Sequence, residues 1–351
     1  MARPANRAAA TAVFRRIERQ VEQVIRGKRE AVQLAIACLV AEGHLLIEDK
    51  PGTGKTSLAR AIAASIGGTA KRVQFTPDLL PSDITGVSIY NPQSRDFAFR
   101  PGPVFANVLV ADEINRASPK TQAALLEVME ERQVTVDGIS HPAPRPFMVV
   151  ATQNPLDFEG TYPLPEVQLD RFAMRISLGY TSRETELEVM ANQNGQDPLV
   201  SIEPVVDVEA FAEAVAITRR VSVRPELREY VADLVTKTRQ HPDLRLGVST
   251  RGTLILLAVA RSLAIANARS FVSPDDIKSL TAPVLAHRMR VTPDAELDGL
   301  TAQDILLEIA DQVPVPRIRT PDQAPARQRT AGTASKRRPE PQDSVVGEGT
   351  A

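Results

Sequence analysis

The chain has 351 residues, a formal net charge of −1 and 43% hydrophobic residues, which allows two folded domains and excludes a protein that is basic throughout. Tryptophan is absent and aromatic residues make up only 4% of the sequence, so the core must consist mainly of Ala, Val, Leu and Ile. No segment reaches the roughly 18–20 apolar residues of a membrane span, and the N-terminal sequence lacks the apolar stretch of a signal peptide, so we expect neither membrane insertion nor secretion.

The first predicted element is an amphipathic helix over about residues 10–40 that is interrupted near Gly27. Residues 1–20 are accordingly predicted to form an N-terminal arm or helix ahead of the first domain. Cys38 lies in the apolar part of this region and is the single cysteine of the chain. It cannot form an internal disulfide, so we expect a small core residue in a reducing cytoplasm.

A phosphate-binding loop is predicted at EDKPGTGKTS, residues 48–57, between the apolar strand His44–Ile47 and an alanine-rich helix. The pattern Gly-x-x-x-x-Gly-Lys-[Ser/Thr] would begin with a glycine where this chain has Asp49. Gly52 and Gly54 can adopt positive φ, which lets successive N–H groups surround a phosphate at a helix N-terminus, where the helix dipole favours an anion. The alternative is an ordinary glycine turn followed by a solvated lysine.

Side chains of the same loop are expected to bind the nucleotide and its metal ion. Lys55 would reach the β- and γ-phosphates, and the Thr56 hydroxyl would ligate Mg²⁺. The loop residues expected to contact the nucleotide are Pro51, Gly52, Thr53, Gly54, Lys55, Thr56 and Ser57.

Apolar strands alternate with helical segments in the first half of the chain. The predicted strands after the loop are 71–76, 108–113, 146–153 and 172–178. The helix at 118–133 begins with Ser118 as N-cap and Pro119 at the first helical position. This alternation predicts an α/β fold with a parallel sheet covered on both faces. Residues 133–141 alternate polar and apolar side chains and contain Asp137-Gly138, which predicts an inserted β-hairpin.

The strand 108–113 ends in two carboxylates, Asp112 and Glu113. Ligands of open parallel sheets bind at the carboxyl ends of the strands, so Asp112 is expected to hold Mg²⁺ and Glu113 to orient and polarise an attacking water. An acidic pair that merely ends a strand at the surface is the alternative. Asn154 follows the next strand, where it could hydrogen-bond the γ-phosphate and this water or could cap a turn before Pro155.

The second half of the chain is predicted to be mostly helical. Residues 182–311 show helical apolar spacing, which places a domain boundary near residue 180. The last stretch, residues 313–351, is rich in Pro, Ala, Thr, Gln and charged residues and is predicted to be disordered.

Three long stretches resemble the signatures of the MoxR family of AAA+ ATPases. They are QFTPDLLPSDITG (74–86), the segment 99–138, and ATQNPLDFEGTYPLPEVQLDRF (151–172). The resemblance covers about residues 20–315 and implies an AAA+ αβα P-loop NTPase core over residues 21–180 with a β-hairpin insertion, followed by a small all-α lid over residues 181–312. It also implies a homo-oligomeric ring, typically a hexamer, with ATP and Mg²⁺ bound between subunits.

The resemblance assigns roles to single residues of the nucleotide site. Lys55 and Thr56 take the Walker A roles, Asp112 and Glu113 take the Walker B roles, and Asn154 becomes the sensor 1 residue.

Three further residues receive roles from the same resemblance. Arg171, in LDRF, resembles the arginine finger that reaches a neighbour's γ-phosphate, an effect worth about 10³–10⁵ in related phosphoryl transfer; an ion pair with Asp170 or Glu166 is the alternative. Arg251, in STRG, matches the sensor 2 position, although family members more often have SPRA there. Ile25, in VIRG, corresponds to the segment that packs against adenine, and a plain core residue would look much the same.

The implied function is a Mg²⁺-dependent ATPase that acts as a chaperone-like remodeller of client proteins, often ones with a von Willebrand A-type domain. A nucleic-acid motor is the first alternative, since helicases share this clade, but the hairpin offers only His141 and the region before the tail is not basic. Basic residues between Arg317 and Arg338 could bind nucleic acid. The second alternative is an ATP-binding switch with little intrinsic hydrolysis.

Overall fold

The computed structural model describes residues 4–50, 52–93, 95–154, 161–191, 199 and 202–316. Pro51 and most of the tail predicted to be disordered lie outside the described residues. The described residues up to Pro316 pack as one compact unit. Among them, no helix combines the length and the apolar character needed to cross a membrane.

Most of the β-strands lie before residue 177, where they are interspersed with helices, and two short strands follow later in the chain. The strands are β1 Leu45–Glu48, β2 Ala70–Gln74, β3 Gly86–Asn91, β4 Asp96–Pro101, β5 Val108–Asp112, β6 Gln133–Val136, β7 Ile139–Pro142, β8 Met148–Gln153, β9 Met174–Ile176, β10 Leu244–Leu246 and β11 Arg290–Val291. In the described residues, five of them form a parallel sheet in the order β2-β5-β8-β1-β9. The predicted parallel sheet is therefore confirmed.

Helices follow the strands of the sheet and make up most of the second half of the chain. They are α1 Pro4–Val24, α2 Arg29–Val40, α3 Lys55–Ser65, α4 Pro81–Thr85, α5 Pro119–Glu131, α6 Glu166–Leu169, α7 Arg183–Ala191, α8 Val208–Thr218, α9 Pro225–Gln240, α10 Thr250–Ala266, α11 Pro274–Leu285, α12 Pro293–Leu297 and α13 Ala302–Gln312. The predicted N-cap of α5 is present, because Ser118 Oγ accepts a hydrogen bond from the N–H of Thr121.

The order of the strands decides where the functional loops meet. β5 and β8 are buried on both faces, as their continuous apolar sequences require in a parallel sheet with helices on each side. β8 pairs with β1 on one edge and with β5 on the other. The carboxyl ends of these three strands, which carry the phosphate loop, the acidic pair and Asn154, therefore lie side by side.

Among the described residues, two β-hairpins lie outside this sheet. β6 and β7 form the predicted hairpin, and its turn has positive φ at Asp137 (51°) and Gly138 (78°), as a two-residue primed turn requires. β3 and β4 form a second hairpin, to which the sequence analysis assigned no strand. Its base is tight, since a Cβ at Gly102 would lie 2.2 Å from the carbonyl oxygen of Ile84.

The lid segment is helical, with a short antiparallel pair of strands, β10 and β11, between its helices. α1 packs against α3 and against the lid helices α8 and α10. Its apolar stripe of Phe14, Ile17 and Val21 is fully buried, and Thr11 Oγ1 donates a hydrogen bond to the carbonyl of Ile265 at 2.8 Å. α1 thus connects the sheet domain to the lid.

Candidate functional site

The phosphate loop has the backbone conformation that its glycines allow. Gly52 and Gly54 have φ of 81° and 92°, and Gly54 is the N-cap of α3, which begins at Lys55. The first N–H groups of α3 therefore point into the loop, where they can bind an anion. Ile25 is buried behind the loop, with its Cδ1 3.6 Å from the position that a Cβ at Gly54 would take.

Asp49 occupies the place of the consensus glycine and ties the loop to the backbone that follows β9. Its Oδ2 accepts hydrogen bonds from the N–H groups of Leu178 (2.8 Å) and Gly179 (2.7 Å). Burial acts to raise the pKa of Asp49, but these bonds and that from the Lys50 N–H outweigh it, so the pKa is lowered. Lys28 Nζ donates to the carbonyl oxygens of the same Leu178 and Gly179.

The side chain of Lys55, the first residue of α3, contacts the backbone of the loop. Its Nζ donates hydrogen bonds to the carbonyl oxygens of Asp49 (2.7 Å) and Lys50 (3.2 Å). Burial lowers the pKa of Lys55, although the nearby carboxylates of Asp49, Asp112 and Glu113 act to raise it.

Asp112 lies opposite the loop and is buried. Its Oδ2 is 3.5 Å from the Thr56 hydroxyl and 2.5 Å from Nε of the exposed Arg72. Its Oδ1 accepts a hydrogen bond from Thr152 Oγ1 at 3.2 Å, and this hydroxyl in turn accepts one from the N–H of Glu113 at 3.0 Å. Thr152 thus connects the two acidic residues.

Glu113 has a left-handed backbone, with φ of 55°, a conformation that is uncommon outside glycine and often found at functional sites. Gln74 Nε2 donates to its Oε2 at 2.8 Å, and Arg116 donates to the same oxygen at 3.0 Å. The carboxylate is half-buried and is held by these two donors at the end of β5.

These residues line one cavity of about 380 Å³. The predicted site residues that line it are Gly52, Thr53, Gly54, Lys55, Thr56, Ser57, Asp112, Glu113 and Asn154. Arg72, Gln74 and Thr152 also line it and were not predicted from sequence. Arg72 and Gln74 could have been suspected, because polar side chains near the end of a strand beside β5 must reach the same edge of the sheet.

The oxygen atoms of Thr56 and Asp112 fit Mg²⁺, which prefers hard oxygen ligands and keeps several waters or phosphate oxygens. The described part of the chain contains no group of three His, Cys, Asp or Glu side chains that could hold a metal ion by themselves. A Mg²⁺ ion at this pair would therefore need phosphate and water oxygens to complete its coordination.

Arg171 and Arg251 lie in a different cavity, of about 270 Å³, and not beside the phosphate loop of the same chain. Both pair with Glu130 on α5: Arg171 lies 3.0 Å from Oε2, and Arg251 contacts Oε1. The alternative partners considered for Arg171 are engaged elsewhere, Asp170 with Arg288 and Glu166 with Arg290.

Comparisons with known proteins agree with this architecture. Residues 44–174 match the model of the "ATPase family associated with various cellular activities (AAA)", and residues 236–309 match that of the "AAA lid domain". The chain is 49% identical to the uncharacterised protein YeaC of Bacillus subtilis, over 84% of this chain and 92% of that protein. It is 38% identical to Chaperone MoxR1 of Mycobacterium tuberculosis, over 85% of this chain and 81% of the relative. A crystal structure of an inferred ATPase from Cytophaga hutchinsonii superposes with a TM-score of 0.82 at 35% identity, covering 89% of this chain and 98% of that one.

Proposed function

Because the chain belongs to the MoxR family of AAA+ ATPases, we propose that it binds ATP with Mg²⁺ at the phosphate loop and hydrolyses it to ADP and phosphate. The family supports ATP hydrolysis in general. The observation that carries the proposal for this chain is the single cavity in which the N-terminus of α3, Lys55 and Thr56 face Asp112 and Glu113. An anion cradle and a carboxylate pair on opposite walls are the parts that phosphoryl transfer to water needs.

Each residue of the cavity has a defined task in this mechanism. The N–H groups of the loop and Lys55 bind the β- and γ-phosphates, and Thr56 and Asp112 hold the metal ion. Mg²⁺, when bound, neutralises part of the phosphate charge. Glu113, positioned by its neighbours, orients and polarises the attacking water, and Asn154 donates its amide to the γ-phosphate.

Arg171 and Arg251 are proposed to act on the nucleotide of a neighbouring subunit. Both pair with Glu130 in a separate cavity, so neither lies at the phosphate loop of its own chain. A head-to-tail ring, which we propose is a hexamer, would place this cavity against the next subunit's phosphate loop. Ile25, buried behind Gly54, is proposed to pack against the adenine.

The work driven by hydrolysis is proposed to be the remodelling of a client protein in the cytoplasm. The name of a relative, Chaperone MoxR1, supports a chaperone-like role, and a von Willebrand A-type domain is the client class that we propose. Cys38 is buried, and desolvation raises the pKa of its thiol to about 12, so we expect an unreactive core residue.

The test is the ATP hydrolysis rate per subunit, measured against protein concentration. We expect the rate to rise as subunits associate, to require Mg²⁺, and to vanish in Glu113→Gln although this variant still binds ATP. Lys55→Ala should lose binding as well. A constant rate per subunit at dilutions where sizing shows monomers would refute a shared site, and stimulation by single-stranded DNA would favour a nucleic-acid motor.

A mixing experiment tests whether Lys55 and Arg171 act at the same nucleotide from different subunits. Lys55→Ala and Arg171→Ala are each expected to be inactive alone. When the two proteins are mixed, roughly a quarter of the interfaces should combine an intact Lys55 with an intact Arg171, so activity should return in part. If mixing restores nothing while both variants still assemble, Arg171 does not act across the interface.

A further inference from the structure

Asp170, which immediately precedes Arg171, is joined to two groups of the lid. Ser249 Oγ lies 3.1 and 3.0 Å from the two carboxylate oxygens of Asp170, to which it donates a bifurcated hydrogen bond. Arg288 Nε lies 2.9 Å from Asp170 Oδ1. The short segment that carries Arg171 is therefore tied directly to the lid.

The Asp170–Arg288 pair is fixed by burial. The side chain of Arg288 is 1% exposed, and its guanidinium also donates to the carbonyl oxygens of Phe172 (2.6 Å) and Val284. Burial lowers the pKa of Arg288 to about 10, with Asp170 opposing the shift, so the group stays charged at neutral pH. Removing one partner of a buried ion pair leaves an uncompensated charge, which makes Asp170 the required counter-ion and holds it in one position.

Ser249 also begins the helix that carries Arg251. Its Oγ accepts a hydrogen bond from the N–H of Gly252 at 3.1 Å, which makes it the N-cap of α10. One hydroxyl thus binds Asp170 and sets the first turn of α10. Gly252 permits close packing here, since a Cβ at this position would lie 2.8 Å from Cδ of Arg288.

Arg171 follows Asp170 and Arg251 lies close to Ser249 in sequence, and both arginines bind the same carboxylate. Arg171 and Arg251 each bind a different oxygen of Glu130, so their guanidinium groups are spaced for a single oxyanion group. Both side chains are partly exposed, at 26% and 41%. Ion pairs between partly exposed side chains are weak, so a phosphate with more negative charge can replace Glu130.

We propose that Asp170, together with Ser249 and Arg288, is a positioning unit that sets Arg171 and Arg251 as a pair, so that both bind the γ-phosphate held by a neighbouring subunit. This inference rests on the proposed ATPase function and adds to it the residues that align the two arginines. The unit touches no nucleotide itself and acts through the two guanidinium groups.

The first test is Asp170→Asn, which keeps the shape and an acceptor oxygen but removes the charge. We expect kcat for ATP to fall by about tenfold or more, because small displacements of positioning groups carry large rate penalties. The dissociation constant for ATP should change by less than about twofold, since the phosphate loop of the same chain is untouched. In an Arg171→Lys/Arg251→Lys background, which keeps both charges and is expected to retain a low rate, Asp170→Asn should lower kcat by a much smaller factor than in wild type, because both residues through which it acts are already altered.

The matched control is Asp276→Asn. Asp276 also pairs with a lid arginine, Arg269, at 2.5 Å. It lies in the first turn of α11 and is far in sequence from both arginines of the site. We expect Asp276→Asn to lower the stability about as much as Asp170→Asn does and to leave kcat unchanged. Ser249→Ala is the second variant if Asp170→Asn does not fold: it should lower kcat, and Ser249→Thr should restore it.

The outcomes separate this inference from the proposed function. If Arg171→Ala and Arg251→Ala lower kcat but Asp170→Asn and Ser249→Ala do no more than Asp276→Asn, the positioning role is refuted and the ATPase function stands. If Asp170→Asn lowers kcat by the same factor in wild type and in the Arg171→Lys/Arg251→Lys background, Asp170 does not act through these arginines. If wild-type protein hydrolyses no ATP, the proposed function is refuted and this inference with it. If Arg171→Ala keeps the full rate, the ATPase function stands and this inference is refuted.

Discussion

Thr152 shows how single hydrogen bonds organise the nucleotide site at the scale of residues. It is buried at the end of β8, and its hydroxyl donates to the carboxylate of Asp112 while accepting the N–H of Glu113. Without it, a buried carboxylate oxygen and a backbone donor would each lose a partner. The side chain therefore fixes the carboxylate of Asp112, proposed to bind the metal ion, relative to Glu113, proposed to activate water.

Thr152→Val keeps the shape of this side chain and removes both hydrogen bonds. We expect the free energy of unfolding to fall by about 1–3 kcal/mol, because buried polar groups are left unsatisfied. We also expect kcat to fall, since Glu113 loses its support. Urea unfolding and steady-state ATPase kinetics measure the two effects. Thr152→Ser retains the hydroxyl and serves as the control; if it behaves like Thr152→Val, the hydrogen bonds are not the cause.

At the scale of elements, α1 is a structural part of the folded unit. Its apolar stripe is buried against α3, the helix that follows the phosphate loop, and against the lid helices α8 and α10. An amphipathic helix obtains most of its stability from such packing and little from its own propensity. α1 therefore stabilises the arrangement of the lid over the sheet domain as well as itself.

Phe14→Ala tests this packing. Phe14 is 1% exposed, so the truncation should lower the free energy of unfolding by about 3–5 kcal/mol, the usual cost of a large-to-small change in a core. Arg16→Ala, on the exposed face of the same helix, should change it by less than about 0.5 kcal/mol. Equal, small effects of both changes in urea unfolding would mean that α1 contributes little to the folded unit.

At the scale of the whole molecule, two buried histidines link stability to pH. His44 accepts the Val149 N–H at Nδ1, and its Nε2 lies 3.1 Å from the carbonyl oxygen of Met129. Burial, with Arg132 adding to it, lowers the pKa of His44 to about 3. His287 is buried beside Arg288, and burial lowers its pKa well below the ordinary value. Both rings are neutral in the folded protein at neutral pH.

These shifts predict acid sensitivity. In the unfolded chain a histidine takes up a proton near pH 6.5, whereas the folded protein does not until the pH is far lower. Stability is therefore intact above about pH 6.5 and falls as the pH drops below it, by about 1.4 kcal/mol per pH unit for each histidine. Urea unfolding at pH values from about 7.5 to 5 measures this slope. His44→Gln should reduce the slope by the contribution of one histidine, about 1.4 kcal/mol per pH unit. An unchanged slope in both His44→Gln and His287→Gln would contradict the linkage.

Much of the fold followed from local patterns. The strand, glycine loop and helix around Lys55 and the apolar strand that ends at Asp112 are contiguous in sequence, so their chemistry is visible without a fold. The β3–β4 hairpin was missed, although Val87 and Ile89 alternate with polar residues. The alternation is short, and the closeness of Gly86 to the 100–102 backbone that closes the hairpin is a tertiary contact.

The sequence by itself determined the phosphate loop, the acidic pair, the parallel sheet and the helical character of the lid, because residue type and spacing along the chain decide these features. Only the tertiary structure decided which distant side chains meet. Glu130 binds both Arg171 and Arg251, Asp170 binds Ser249 and Arg288, and Asp49 binds the backbone of Leu178 and Gly179 after β9. Such pairs depend on strand order and on the packing of the lid, and these arise from the burial of apolar surface over the whole chain, which has no local signature.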